Sequence, residues 1–351
     1  MFKEFQKKYN KVLITGGAGF IGGNLISKIL KETDCTIFNI DKMGYASDET
    51  NLNNYINENN KDNYHLMQID LINAKEIDEA LKMVKPDLVM HLAAESHVDR
   101  SIEGPKVFLE SNIMGTFNLL QSALNYYNST LISNKESFLF HHISTDEVFG
   151  SLGDEGSFNE NTSYDPRSPY SASKASSDHL VRAWNTTYKL PVVITNCSNN
   201  FGPYQYPEKL IPVAILKLLN EEEVPIYGDG QNIRDWLFVN DHINALILVA
   251  TFGKISNTYC IGGHGETTNK DLILKICEIM DEIFPDKSPH NRLIKYVKDR
   301  PGHDRRYSID PTKIKKGLGW DVENRLEENL KITVKWYIKN LDWCKKILQK
   351  S

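Results

Sequence analysis

A short apolar strand that runs into a glycine-rich turn and then an amphipathic helix leaves a chain few folds to choose from, and residues 11–30 have that form. Lys11-Val12-Leu13-Ile14-Thr15 reads as the strand and Gly16-Gly17-Ala18-Gly19-Phe20-Ile21-Gly22 as the turn. Leu25, Ile26, Ile29 and Leu30 then repeat at helical spacing. In this G-x-x-G-x-x-G spacing, Gly16 permits a tight bend and Gly19 lets a pyrophosphate approach the backbone. Gly22 lets the helix lie close on the sheet, with its N-terminus turned to the phosphates. Phe20 and Ile21, inside the same turn, are counted with the glycines as cofactor contacts. The next strand, residues 36–40, ends in Asp41. A carboxylate there can accept from both hydroxyls of an adenosine ribose and repels a 2′-phosphate, so NAD is expected over NADP, although Lys42 beside it weakens that exclusion.

Strand and helix signals go on alternating. Residues 64–69 make a third strand ending in Asp70, which with Leu71 stands at the adenine edge or else caps a helix. Residues 87–92 make the fourth, followed by Ala93-Ala94, small enough for a cofactor to lie against the backbone. Ser96 and His97 come next, the histidine reading as a loop residue rather than a proton-transfer group. Pro105 starts a long helix to about Tyr127, with apolar positions for packing on the sheet or against a second subunit. Further strands at 138–143 and 191–196 complete the pattern of a doubly wound parallel-sheet Rossmann fold, an α/β architecture, over residues 1–198. From Asn199 the texture turns to Gly, Pro and Tyr, and a smaller C-terminal substrate lobe is expected over 199–351, with some segments returning to the first domain.

The chemistry gathers between Ile143 and Lys174. Thr145, Asp146 and Glu147 fall at the C-terminal edge of the fifth strand, where open α/β sheets bind ligands. Tyr170 and Lys174 are four apart and so share a helical face. An ammonium one turn away is expected to favour the phenolate, which could then take a proton from a sugar hydroxyl. The segment 150–168 is polar and long enough to be a loop over a site. In the second lobe, Arg234-Asp235-Trp236 and the run 299–306 carry arginine forks that suit a diphosphate, unless Asp235, Asp299 and Asp304 take them as ion pairs.

Bulk properties remove other classes. A formal net charge of −5 offers no basic stripe for a phosphate backbone, so no nucleic-acid partner is expected. The five cysteines are scattered without C-x-x-C spacing, which speaks against a disulfide framework and a zinc site and for a reducing cytoplasm. The polar, lysine-rich first ten residues suggest neither a signal peptide nor a membrane span.

Taken in order, these blocks resemble the extended short-chain dehydrogenase/reductases, and within them the nucleotide-sugar 4,6-dehydratases that act on dTDP-glucose. The resemblance is collinear over nearly the whole chain: residues 16–22, 93–101, 143–150, 170–180, 196–212, 234–237 and 299–307 all match family signatures. It implies Tyr170 as base on the glucose 4-hydroxyl, aided by Lys174 and Thr145, then Glu147 as base at C5 and Asp146 as acid on the departing C6 hydroxyl. NAD would stay tightly bound and be regenerated each turnover. By the same resemblance Asn199, Arg234, Asn269 and Arg300 hold the diphosphate and nucleoside, and Lys209, Leu210, Pro225 and Tyr227 line the base pocket. A homodimer through paired long helices, including those of Pro105 and Tyr170, is implied, as is a 4-keto-6-deoxy product on the way to rhamnose or another deoxysugar. Phe149 stands where relatives commonly have Tyr, and the loop 151–168 is shorter than in some of them.

Other readings stand beside this one. Thymidine and uridine differ by one methyl group, worth about 1–3 kcal/mol, so UDP-glucose is a second substrate expectation. A UDP-sugar epimerase or decarboxylase would share the fold but not the Thr-Asp-Glu triplet. A non-catalytic NAD-binding sensor would have no use for an activated phenol.

Overall fold

The computed structural model describes residues 1–48, 50–53, 56, 61–129, 135–322 and 325–349. The strands among them are β1 (Lys11–Thr15), β2 (Thr36–Asp41), β3 (Tyr64–Gln68), β4 (Leu88–His91), β5 (Leu139–Thr145), β6 (Val192–Cys197), β7 (Asn199–Phe201), β8 (Val224–Tyr227), β9 (Ile233–Phe238), β10 (Thr258–Ile261), β11 (Glu266–Thr268) and β12 (Ile294–Val297).

Seven of them form one sheet in the order β10-β6-β5-β4-β1-β2-β3. Every neighbouring pair is parallel, so hairpins cannot join them and the chain crosses over through helices on both faces. That covering explains why β4 and β6 are buried at every residue. On one face Leu25, Ile26 and Ile29 of the helix Phe20–Glu32 pack with Val12, Ile14 and Met90. On the other, Leu119, Leu120 and Ala123 of the helix Gly115–Asn128 pack with Leu13, Val89 and Phe140. Each such side chain contributes about 1.5–3 kcal/mol when fully buried. The expected doubly wound sheet is therefore present. Its winding reverses between β1 and β4, where the carboxyl ends of the strands leave a crevice.

After β6 the chain leaves the sheet. β7, β9 and β11 make a three-stranded sheet and β8 pairs with β12, and helices Leu210–Leu219, Asn269–Ile283 and Leu326–Lys339 pack around Phe201, Trp236 and Phe238. The helix Val239–Phe252 then carries the chain back to β10, which lies along β6 with Thr258 opposite Ile194. Residues beyond 199 thus supply both the second lobe and the last strand of the first sheet.

One expected element differs. The helix from Pro105 is interrupted: Pro105–Phe108 is α-helical, Leu109–Met114 is a wide π turn, and Gly115–Asn128 is α-helical again. The cause is Asn112. Its carbonyl accepts from the hydroxyls of Thr116 at 2.6 Å and Ser177 at 2.7 Å, an alternative to the ordinary helical N–H. Its side chain turns inward to Glu95 N at 2.8 Å and Ser173 Oγ at 2.8 Å. Such π bulges recur at functional sites, and this one ties the loop after β4 to the helix that carries Tyr170.

Candidate active site

A cleft of about 350 Å³ follows the carboxyl ends of the strands, and Gly16, Gly19, Phe20, Ile21, Gly22, Asp41, Lys42, Asp70, Leu71, Ala93 and Ala94 all line it, together with Tyr170 and Lys174. The glycine turn is shaped as a cradle. At Gly16, with φ +74°, a Cβ would lie 2.7 Å from the Ala93 backbone, and at Gly22 it would lie 2.3 Å from the Gly16 carbonyl oxygen. The helix begins at Phe20 without a side-chain cap, so its first amides remain available to an anion. This arrangement fits a dinucleotide pyrophosphate.

Around the cradle the acidic residues are more engaged than their sequence positions suggest. Asp41 accepts from Ala18 N at 3.0 Å, Met43 N at 2.9 Å and Ser47 Oγ at 2.8 Å. A carboxylate has about four lone-pair sites, so Asp41 fixes the turn and keeps capacity for a ribose hydroxyl. Lys42 Nζ sits 2.5 Å from Glu95 Oε1 and is thereby drawn away from any 2′-phosphate. Asp70 does not cap the following helix: Asn73 does, accepting from Glu76 N at 3.4 Å. Asp70 Oδ1 instead accepts from Ile72 N at 3.1 Å, at the edge of the cleft.

At the end of β5, Thr145 caps a short helical turn, its Oγ1 accepting from Glu147 N at 3.2 Å and donating to Asp146 Oδ1 at 3.3 Å. Asp146 is buried, and its Oδ2 has no hydrogen-bond partner among the described residues. Burial drives its carboxyl well above the ordinary carboxylate range, and the charge of Glu147 adds to that. Burial raises Glu147 as well, but Arg234, Arg300 and Lys209 pull it back. Two adjacent carboxyls therefore sit in unlike fields: burial and a neighbouring charge both raise Asp146, while three cations offset part of the rise at Glu147, as separate acid and base tasks require.

Tyr170 and Lys174 occupy the first turns of the helix Pro169–Tyr188, which Ser168 and Ser171 close with a capping box. Here burial opposes the lowering expected from a nearby ammonium. Burial, and after it the charge of Glu147, pushes the Tyr170 phenol well above its ordinary value, while the Thr145 hydroxyl pulls the other way. Lys174 Nζ donates to the Ile143 carbonyl at 3.0 Å, which leaves two of its three N–H groups for other partners.

The second lobe closes the cleft from the other side. Ser96, Asn199 and Lys209 line it with Thr145, whereas Leu210, Pro225, Tyr227, Arg234, Asn269 and Arg300 lie outside its lining. Lys209 donates to the Ser96 carbonyl at 2.9 Å and precedes Leu210, the first residue of its helix. Pro225 and the exposed Tyr227 belong to β8. Asn269 opens the helix Asn269–Ile283 with a buried Oδ1 that has no partner among the described residues. Arg234 is buried 4.2 Å over the Tyr307 ring and donates to the carbonyls of Ile233 at 2.7 Å and Asp304 at 3.0 Å. Arg300 pairs with Asp99 across the lobes at 3.0 Å. Asp235, Asp299 and Asp304 are occupied elsewhere, by the Gly263 and Gly265 amides, by His303 and by the Tyr307 hydroxyl. None of these three carboxylates pairs with Arg234 or Arg300, but Arg300 is ion-paired all the same, with Asp99.

One contributor that escaped sequence reasoning is Tyr45. It lines the cleft, donates to Glu208 Oε1 at 3.0 Å and lies 3.7 Å beneath the Arg100 guanidinium; it stands in a polar loop with no periodicity to mark it. Phe149 is buried against Phe158 and Tyr164, with ring centroids 5.2 Å from each, outside the cleft lining. His97 caps the helix Val98–Glu103 by accepting from Arg100 N at 3.3 Å, as a loop histidine does. Among the described residues no cluster of His, Cys, Asp or Glu is disposed to hold a metal ion, the five cysteines are buried and free, and no helix is long and apolar enough to cross a membrane.

Residues 13–333 match a family model described as GDP-mannose 4,6 dehydratase. The chain is 51% identical over 346 residues to dTDP-glucose 4,6-dehydratase of Salmonella typhimurium, covering 96% of this chain and 95% of that protein. A dTDP-glucose 4,6-dehydratase from Streptomyces venezuelae, crystallised with NAD and TYD bound, superposes with a TM-score of 0.85 at 38% identity, covering 96% of this chain and 99% of that one. UDP-glucose 4-epimerase from Thermotoga maritima, crystallised with UDP-glucose, gives a TM-score of 0.81 at 26% identity, covering 94% and 99%.

Proposed function

Since the chain belongs to the GDP-mannose 4,6 dehydratase family, we propose that it is an NAD-dependent hydro-lyase converting dTDP-glucose to dTDP-4-keto-6-deoxyglucose. The observation that carries this reading is the pair of a buried Asp146 and a half-buried Glu147 at the end of β5, lining one cleft with Thr145, Tyr170 and Lys174. NAD, when bound, supplies an acceptor for the hydride from C4 and a donor of it to C6, so no cofactor is consumed. The glycine cradle, Asp41, Ala93 and Ala94 would hold it.

The protein's own groups do the rest. Tyr170 takes the proton of the 4-hydroxyl while Thr145 holds the same oxygen and Lys174 supports the phenolate. Once C4 is a ketone the C5 hydrogen is acidic, and Glu147 removes it. Asp146, whose affinity for a proton burial raises, gives one to the departing C6 hydroxyl and water leaves; as C6 is reduced, the proton held on Glu147 returns to C5. Each well-placed proton transfer contributes about 10²–10⁴-fold. Residues 1–198 would serve the cofactor and 199–351 mainly the nucleotide sugar, with Arg234, Asn269 and Arg300 toward the diphosphate and nucleoside.

The test is mass spectrometry of products after the purified protein, without added NAD, meets dTDP-glucose and UDP-glucose in separate tubes. Loss of one water from dTDP-glucose alone is expected. Loss from UDP-glucose alone would reassign the nucleotide, and no mass change even with NAD added would return the epimerase and sensor readings.

A homodimer is part of the proposal. Ile102, Val107, Leu109 and Met114 expose apolar surface along the helical run around Pro105, of the kind that marks subunit contact. Light scattering is expected to give twice the chain mass of 40.1 kDa; a monomer would exclude the dimer. Five free thiols support a reducing cytoplasm as its compartment.

A further inference from the structure

On the helix Pro169–Tyr188, Tyr170, Lys174, Asp178 and Arg182 stand at intervals of four and so form one row. The mechanism uses the first two. Asp178 is wholly buried, and a carboxylate in such a place is costly unless its lone pairs are met. They are met: Tyr164 Oη donates to Oδ2 at 2.7 Å, Asn196 Nδ2 to Oδ2 at 3.1 Å, and His142 Nε2 lies 3.0 Å from Oδ1. His142 Nδ1 has no partner among the described residues, which matches a neutral imidazole donating from Nε2. The same Asn196 amide donates to the Thr145 carbonyl at 3.0 Å. Arg182, next in the row, is drawn away to Tyr164 Oη at 3.0 Å and Thr258 Oγ1 at 2.8 Å.

We propose that Asp178 is a positioning residue of the reaction centre: a buried counter-charge one helical turn behind Lys174 that keeps its ammonium protonated and, through Asn196, holds the Thr145 end of β5 beside it. The groups around this pair are Arg182 on the same helix, His142 on β5 with His91 on β4 at 5.3 Å from it, Tyr164 on the loop before the helix, and Cys197 on β6. Burial works to take the proton from Lys174, and Asp178 is the first influence opposing it. The Cys197 thiol, pushed up to about 12, stays uncharged. Burial and the Lys174 charge both lower His142, against the opposite pull of Asp178. Asp178 is then the carboxylate that sustains Lys174.

The inference rests on reading Lys174 as the cation that supports Tyr170. It is tested on the holoenzyme by rapid mixing with dTDP-glucose, following reduction of the bound cofactor across pH. Asp178→Asn preserves size, and His142 can meet the new amide by moving its proton to Nδ1. The alkaline limb of the oxidation rate is expected to move to lower pH by about one unit or more. Tyr164→Phe, which removes a donor and leaves the charge, should keep the limb where the wild type has it. An Asp178→Asn rate lowered equally at every pH, with the limb unmoved, would mean a structural role alone and overturn the proposal.

A second measurement needs no activity. Lys174→Met strands the Asp178 carboxylate, so the double variant Lys174→Met/Asp178→Asn is expected to melt at a higher temperature than Lys174→Met alone. A double variant that melts lower overturns the counter-charge. Turnover by Lys174→Met tests the reading of Lys174 separately: undiminished activity would remove that reading, whereas the melting comparison judges Asp178 by itself.

Discussion

Glu147→Gln is expected to halt the reaction after oxidation at C4, with the bound cofactor left reduced, no water lost and overall turnover lower by about 10²–10⁴-fold. The amide keeps the shape of the carboxylate, but it cannot take a proton from C5. Asp146→Asn should fail one step later. There the C5 hydrogen would still exchange with solvent deuterium, while the C6 hydroxyl, lacking its acid, would stay. Product mass and deuterium content separate the two, and a Glu147→Gln enzyme that loses water at the wild-type rate would take the base assignment away. The pH dependence has a definite sign. Both carboxyls are shifted upward, so the working window lies above the ordinary carboxylate range. Elimination declines on its acid side as Glu147 gains a proton, and on its alkaline side as Asp146 loses one.

Tyr170→Phe should abolish the earlier event, again by about 10²–10⁴-fold, and the cofactor should then remain oxidised. The ring itself keeps its edge-on contact with Phe108, with centroids 6.4 Å apart, so substrate affinity and fold should change little. The absorbance of reduced nicotinamide after one mixing event distinguishes this block from that of Glu147→Gln. Appearance of that absorbance in Tyr170→Phe at the wild-type rate would show that another group takes the 4-hydroxyl proton. Because burial raises the phenol, the oxidation rate in the wild type should climb with pH as Tyr170 ionises.

Much of this molecule could be read before its structure because its strongest signals are local. The turn from Gly16 to Gly22 and the strands feeding it depend on spacing within one stretch, and spacing is what a sequence displays. Lys209, Arg234 and Arg300 are another matter: they come from three separate stretches, and only the folded chain shows that all three act on Glu147. Asn112 gave no signal, since one polar residue inside an apolar helical pattern resembles a surface position until its contacts with Glu95, Thr116 and Ser177 are seen. The bond from Lys174 to the Ile143 carbonyl was hidden for a related reason. Periodicity reports which face a side chain leaves from, and a lysine on a helix is long enough to reach a carbonyl on the strand beside it.

The return of residues 239–261 to the first sheet governs how the protein can be divided. A chain cut after Ser198 would leave β6, six residues of buried strand, as a bare edge with its outer N–H and C=O groups unpaired. Such an edge is a template for pairing with other chains and hence for aggregation. The cofactor-binding half is therefore not a detachable module. A chimera that exchanges sugar-recognition segments between relatives must leave 239–261 with the half it closes.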